Sequence, residues 1–351
     1  MRYMTFGRNT GLRVSELALG TGNFGTGWGY GTERDEARRV FDGYVEAGGN
    51  FIDTADIYQF GQAETLLGEF IASDRERFVV ASKYGLGASP DAGVSRTGNG
   101  RKNMVRSLED SLKRLGTDYL DLYWAHTADG VTPLEEILRA FDDLLRAGKI
   151  LHAGLSNFPA WRIARADLLA ELRGWAPLAG IQFEYSLAER SAERELLPMA
   201  EALGLGAALW SPLGGGLLTG KYRAGTTEGR LSGLGTLVRT ENSPRETAIL
   251  DALQAVATEL EASPTQVAIA WLRERAARSS TSLIPILGPR TREQLDATLG
   301  ALQLAPSAEQ LARLEAASTV APGTPHEQIA GQLPAVLGGH PDFRMPTIPV
   351  A

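Results

Sequence analysis

The sequence contains no cysteine. Disulfides, thiolate catalysis and cysteine-ligated metals are therefore excluded, while the compartment is left open. Histidine is scarce. His126, His152, His326 and His340 are the four, and no two stand close together at metal-ligand spacing, so no catalytic metal is expected. Long apolar runs are also missing. No stretch of about eighteen apolar residues occurs, and no transmembrane helix is expected. Met1 to Gly11 lacks the apolar core of a signal peptide, which makes a cytoplasmic protein the expectation. Nor is there an excess of positive charge. A net charge of −7 argues against a nucleic-acid or membrane-surface partner, though not against one phosphate-binding pocket.

The 351 residues, 43% of them hydrophobic, have ordinary globular composition and fit either one large α/β barrel or two domains of common size. Asn9-Thr10-Gly11 suits a hairpin turn within Met1 to Ser15. After it a pattern repeats: a short apolar run, a polar loop, then a longer segment at helical spacing. The apolar runs are Leu17 to Gly20, Phe51 to Thr54, Phe78 to Lys83, Tyr119 to His126, Ile150 to Ser156, Gly180 to Tyr185, Gly206 to Ser211 and Ser282 to Leu287. Helical stripes lie between them. Ala37, Val40, Phe41 and Tyr44 share one face of Glu33 to Ala47. Val105, Leu108 and Leu112 mark Asn103 to Leu115. Leu134, Ile137, Leu138, Phe141 and Leu145 mark Pro133 to Ala147. Ser263-Pro264 reads as an N-cap followed by a first-turn proline.

Eight such units predict a parallel sheet closed as a (β/α)8 TIM barrel, with a doubly wound open sheet as the competing arrangement. No linker separates two domains. Three segments exceed what a connection needs: Tyr84 to Gly100, Leu213 to Pro244, and a tail from Thr319 to Ala351 that carries six prolines and no clear periodicity. The first two follow strands, which puts long loops on the C-terminal face, where such barrels carry their active sites.

Four polar groups fall at predicted strand ends or just beyond: Asp53, Tyr58, Lys83 and His126. A carboxylate at the exit of an apolar strand needs a partner, and Lys83 closes the next predicted strand. Alone, that pair reads equally well as a structural ion pair. Tyr58 shifts the balance, because a phenol is too weak an acid at neutral pH unless a cation stabilises its anion. His126 ends a strand on the same rim and could donate to a substrate oxygen, although a lone histidine there is also compatible with a purely structural role.

At this point the sequence resembles the aldo-keto reductase superfamily, most closely its bacterial members and the potassium-channel β subunits. The resemblance runs from Leu19-Gly20-Thr21-Gly22 to about Leu304. It rests on Asp53-Thr-Ala-Asp-Ile-Tyr58, Ser82-Lys83, Trp124-Ala-His126, Gly154-Leu-Ser-Asn157 and Trp210-Ser-Pro-Leu-Gly-Gly-Gly-Leu-Leu-Thr-Gly-Lys221. It implies one domain over 1–351, with a barrel at about 16–318 and an irregular tail at 319–351. It implies that Asp53, Tyr58, Lys83 and His126 are a catalytic tetrad, with Tyr58 as general acid. It implies NADPH as cofactor and a small carbonyl or alcohol compound as substrate.

By the same resemblance, Trp210 would stack on the nicotinamide, its competing role being that of a core tryptophan. Ser156, Asn157 and Gln182 would hold the carboxamide, and Gly22 and Asn23 would be the cofactor contacts at the first strand's end. Gly214 to Gly216 would let backbone amides approach the pyrophosphate, Lys221 would add a positive charge there, and Ser211, Pro212 and Leu213 would be further cofactor contacts. Gly288, Arg290, Gln294 and Thr298 would grip the adenosine end, where Arg290 offers a guanidinium to a 2′-phosphate or, alternatively, makes a surface salt bridge. Thr298 stands where the family commonly has Asn, and Pro289 where a small residue is usual. Phe24, Trp28, Tyr84 and Trp124 are candidates to line the substrate pocket, with loop packing as the competing reading. The family also offers a second function, a cofactor-binding sensor or regulatory subunit with little turnover.

Overall fold

A computed structural model of the chain describes residues 1–221, 223, 239–340 and 342–350. Two short antiparallel strands come first, β1 (Tyr3–Thr5) and β2 (Arg13–Ser15), with Met4 opposite Val14. Eight parallel strands follow: β3 (Ala18–Gly20), β4 (Phe51–Asp53), β5 (Val79–Tyr84), β6 (Leu120–Ala125), β7 (Ile150–Ser156), β8 (Leu178–Glu184), β9 (Gly206–Trp210) and β10 (Leu283–Leu287). They pair in sequence order, and β10 returns to β3 through Ile286↔Ala18 and Leu287↔Leu19, closing the barrel. The fold is a (β/α)8 TIM barrel with an N-terminal hairpin.

The helices are α1 (Arg34–Glu46), α2 (Gln62–Ile71), α3 (Arg101–Leu115), α4 (Leu134–Arg146), α5 (Ala160–Arg173), α6 (Leu196–Leu203), α7 (Pro244–Glu259), α8 (Pro264–Arg278), α9 (Arg292–Leu299), α10 (Ala308–Ser318) and α11 (His326–Val336). Ser263 caps α8 reciprocally with Gln266, and Pro264 takes the first turn, as the Ser-Pro pair implies. In α3 the buried apolar stripe is Met104, Leu108, Leu112 and Leu115, with Val105 only half-buried at its edge.

Strand alternation sorts the core into two layers. Inward side chains such as Phe51, Ala81, Leu122, Trp124 and Ile284 fill the barrel, and Phe6 from the hairpin plugs it from below. Phe6 meets Phe51 and Trp124 edge-on, at 5.6 and 6.1 Å between ring centroids. Outward side chains such as Ile52, Val80, Tyr84 and Tyr123 pack against the helices. On β5, Ser82 turns outward and donates to Glu64 of α2 at 2.5 Å, while Arg114 of α3 donates to the same carboxylate at 2.7 Å. Lys83, between Ser82 and Tyr84, must therefore face the barrel.

The tail departs from the sequence expectation. Within 319–351 a helix, α11, forms despite Pro334, and none of its residues is buried. A helix with no buried face has no reason to show an apolar period. The long Tyr84 to Gly100 loop follows β5. Most of the predicted Leu213 to Pro244 segment lies outside the described residues. Among the described residues no helix is long and apolar enough to cross a membrane.

Candidate active site

The apolar triplet Phe51–Asp53 ends β4 with a buried carboxylate. Its neighbour β5 carries Lys83 one residue before its end, fully buried at 0% exposure. A buried ammonium has three protons to place, and all three find acceptors. Nζ donates to Asp53 Oδ2 at 2.5 Å, to the Thr54 carbonyl at 2.8 Å and to Tyr58 Oη at 2.9 Å. The second Asp53 oxygen accepts from Gln182 Nε2 of β8 at 2.8 Å. Burial alone would lower the lysine pKa, but the Asp53 carboxylate and the Tyr58 oxygen outweigh it, so the pKa is raised and Lys83 stays charged.

Tyr58 opens a short 3-10 turn, Tyr58–Gly61, just beyond β4. Because its oxygen accepts from Lys83, its own proton is directed away from that ammonium. His126 follows β6, and its ring stands edge-on to Tyr58 at 6.0 Å. Burial first, and Lys83 second, hold the His126 pKa well below its ordinary value, so the imidazole is neutral. Its Nδ1 is buried with no hydrogen-bond partner among the described residues. The structure thus brings Asp53, Tyr58, Lys83 and His126 together at the C-terminal mouth of the barrel.

A chain of polar contacts extends from there around the rim. Asn157, at φ 54°, donates to the His126 carbonyl and to Ser156 Oγ, both at 3.0 Å, and accepts from Trp210 Nε1 at 3.0 Å. Trp210 is half-buried, so its indole is fixed at one edge with the rest of the ring partly open. Ser211 takes φ 52°, and after Pro212 and Leu213 come Gly214, Gly215 and Gly216 at φ 57°, 66° and 100°. Three consecutive positive φ values suit glycine, and within this turn the Gly214 and Gly216 amides donate to the Ser211 and Leu213 carbonyls at 2.8 and 3.0 Å. The Lys221 amide closes this segment on Thr219 Oγ1 at 3.4 Å.

Farther round, Asn23 donates to the Gly288 carbonyl at 2.9 Å, and the Arg290 amide donates to Gln294 Oε1 at 2.9 Å. The Arg290 guanidinium lies over the Tyr30 ring at 4.4 Å, and its Nε has no partner among the described residues. Thr298 is buried and bonds back to the Gln294 carbonyl at 2.8 Å, so its hydroxyl serves its own helix. Gly22 approaches Tyr58 so closely that a Cβ there would touch the phenol ring at 3.8 Å.

Three of the four pocket-lining expectations need correction. Phe24 is fully buried against Phe70, outside the barrel. Tyr84 is fully buried between Tyr123 and Phe141, with its hydroxyl on the Asn99 carbonyl, and also faces the helices. Trp124 lies inside the barrel beside Lys83, wholly buried, and forms floor instead of wall. Only Trp28 stands at the mouth, edge-on to Tyr58 at 6.0 Å. Gln182 has a task that sequence reasoning did not assign, the second oxygen of Asp53. Gln59, also missed, is fully buried and tied to the loop after β3. Gly20-Thr21-Gly22-Asn23-Phe24-Gly25 has the Gly-x-Gly-x-x-Gly spacing of a dinucleotide-binding turn, but α1 starts only at Arg34, so no helix opens on those glycines.

A profile of the aldo/keto reductase family matches residues 16–319. The chain belongs to the aldo/keto reductase family. Aldo/keto reductases depend on a nicotinamide cofactor and act on carbonyl and alcohol groups, and this chain is an oxidoreductase of that kind. It is similar to an uncharacterized oxidoreductase, YrpG, of Bacillus subtilis, at 38% identity over 90% of this chain and 95% of that protein. It is 35% identical to an aryl-alcohol dehydrogenase [NADP(+)] of Phanerodontia chrysosporium, over 88% of this chain and 84% of that one. A norsolorinic acid reductase of Aspergillus flavus is 33% identical, over 90% of this chain and 81% of its own length. The rim fits the family's cofactor on structural grounds: an indole fixed at its edge, a run of positive-φ glycines, and an arginine with an unpartnered nitrogen.

Proposed function

We propose that this aldo/keto reductase uses NADPH to reduce an aldehyde or ketone to the alcohol, reversibly, with Tyr58 as the proton donor. The observation that carries the reading is Lys83 Nζ, which spends its three protons on Asp53, the Thr54 carbonyl and Tyr58 Oη. Trp210, Ser156, Asn157, Gly22 and Asn23 would hold the nicotinamide end. The backbone from Ser211 to Gly216, with Lys221, would meet the pyrophosphate. Gly288, Arg290 and Gln294 would meet the adenosine end, with Thr298 as packing beneath them. Arg290 supports NADPH over NADH, because a guanidinium pairs well with a 2′-phosphate. Bound there, the cofactor supplies a hydride to the carbonyl carbon.

The chain's own residues do the rest. Tyr58 delivers its proton to the developing alkoxide, and the Lys83 ammonium stabilises the phenolate left behind. Asp53 keeps Lys83 charged, and Gln182 keeps Asp53 in place. His126, being neutral, donates one N–H to the carbonyl oxygen and orients it without adding a competing positive charge. In the reverse direction the phenolate accepts the alcohol proton.

Tyr58→Phe removes the phenolic hydroxyl, and with it the exchangeable proton and one of the three acceptors of Lys83. Its kcat for NADPH oxidation with a panel of aldehydes and ketones should fall by about 100-fold or more, with NADPH affinity kept. A near wild-type rate in that variant would remove Tyr58 from the role assigned to it.

A further inference from the structure

The backbone just after Tyr58 is unusual. Gln59 and Phe60 take φ 51° and 54°, two consecutive non-glycine residues in the left-handed region. Such a conformation persists only where the surroundings enforce it. Here the enforcing group is the Gln59 side chain, fully buried. Its Nε2 donates to the Gly22 carbonyl at 2.9 Å and to the Tyr30 carbonyl at 3.0 Å, and its Oε1 accepts from the Trp28 amide at 2.9 Å. Gln62 adds a second tie, its Oε1 accepting from the Thr26 and Gly27 amides at 2.9 and 3.1 Å.

The loop glycines are cut to fit these ties. A Cβ at Gly27 would lie 2.5 Å from the Gln59 carbonyl oxygen, and one at Gly25 would lie 2.7 Å from Gln62 Oε1. The consequence is a fixed indole. Trp28 stands edge-on to Tyr58 at 6.0 Å and to Phe60 at 6.4 Å. Both Trp28 and Phe60 are half-buried; Trp28 packs on the ring whose hydroxyl a carbonyl oxygen must reach, and Phe60 packs on Trp28.

We propose that Gln59 is a positioning residue that sets Trp28 and Phe60 as a preformed aromatic wall beside Tyr58, and that this wall selects aryl over alkyl carbonyl compounds. The proposal rests on the reductase reading above. A flat aryl ring gains edge and offset contacts with rings already held in place. A flexible alkyl chain must be ordered to use the same surface. Gln59 touches neither substrate nor cofactor and acts through Trp28.

The test compares kcat/KM for benzaldehyde and hexanal with NADPH. Trp28→Ala and Gln59→Leu should each lower the aryl-to-alkyl ratio by about 10-fold. The double variant should lower it no further, because both changes remove the same wall. Gln62→Met, at the exposed start of α2, should shift the ratio in the same direction by less, and it answers the question if Gln59→Leu fails to fold. A second readout does not need turnover. In protein labelled with 5-fluorotryptophan, the 19F line lost in Trp28→Phe identifies Trp28. That line should move or broaden in Gln59→Leu and Gln62→Met, and shift when benzaldehyde is added to wild type. A Trp28 line unchanged in both glutamine variants, or an aryl-to-alkyl ratio that they leave within about 2-fold, overturns the proposal. Absence of any carbonyl reduction by wild type would instead remove the reductase reading and leave the 19F result to decide the role of Gln59.

Discussion

Beside the buried Lys83–Asp53 pair lies a second buried carboxyl with a different balance. Asp56 donates its backbone amide to the Lys83 carbonyl at 3.1 Å and turns its side chain into the protein, where it is buried. Burial, then the nearby Glu64, push its pKa up to about 7, with Arg114 opposing. In the unfolded chain an aspartate releases its proton near pH 4. Between those values the native state binds one more proton than the unfolded state, so stability falls as pH rises from about 4 to about 7 and levels off above. The carboxamide introduced by Asp56→Asn does not titrate. The unfolding free energy of that variant relative to wild type should therefore rise by on the order of 4 kcal/mol at most between pH 4 and pH 8. His126 works in the opposite sense, since burial keeps it neutral in the native state while the unfolded chain protonates it below about pH 6.5. That contribution is common to both proteins and cancels in the difference. Urea unfolding at both pH values measures the difference, and a pH-independent one would mean that Asp56 titrates in the native state as it does in the unfolded chain.

At the scale of strands and helices, the barrel was legible because each apolar run had strand length and each intervening stripe had helical period. The eight strands fall within a residue or two of the predicted runs. Which way each strand residue faces was harder to read, for a physical reason. Strands of a parallel barrel are buried on both sides, so hydrophobicity does not alternate along them. Tyr84 was misplaced at the mouth on that account, whereas Phe24 lies in the loop after β3 and turns back under α2. Polar residues carry the missing information. Once Lys83 faces inward, Tyr84 must face outward, and once His126 sits on the rim, Trp124 shares its side and Tyr123 does not. The long-range ties, Gln182 to Asp53 and Gln59 to the Trp28 loop, had no local signature, since they join segments whose proximity only the closed barrel creates. The same closure explains Gly154 of β7. A Cβ there would lie 2.3 Å from the Trp124 ring and 2.8 Å from the Gly180 carbonyl oxygen. Gly154→Ala should cost about 1–3 kcal/mol through overpacking. Thermal denaturation should show a clear drop in Tm, whereas Gly130→Ala, a surface change with open space around its Cβ but a strained φ of 73°, should cost less. A Gly154→Ala loss no larger than that of Gly130→Ala would mean that the barrel interior yields around Trp124 without cost.

For the molecule as a whole, the decisive question is where the folded unit ends. α10 belongs to it. Leu311 and Leu314 are buried, Arg190 donates to Ser318 Oγ at 2.7 Å, and Trp271 donates to Glu315 at 3.0 Å. Arg245 holds the Ser318 carbonyl at 2.6 Å, and Arg194 reaches the Ala321 carbonyl at 2.8 Å. Beyond Ala321 the attachment among the described residues thins to one pair, half-buried His326 with exposed Glu195 at 2.9 Å, and no residue of α11 is fully buried. A solvent-accessible pair of this kind contributes about 0–1 kcal/mol, and a helix whose one covered apolar residue, Leu333, is only half-buried adds little hydrophobic stabilisation. Removing residues 323–351 should therefore shift Tm by less than about 3 °C and leave the rate of NADPH oxidation unchanged. Removing residues 308–351 should take away the cover of Trp271, leave Arg190 with Glu193 alone and Arg245 without its Ser318 acceptor, and yield protein that unfolds at much lower temperature. Thermal denaturation of the two truncations separates these outcomes. A large loss in the shorter truncation would show that α11, for all its exposure, docks on the barrel through contacts that matter to its stability.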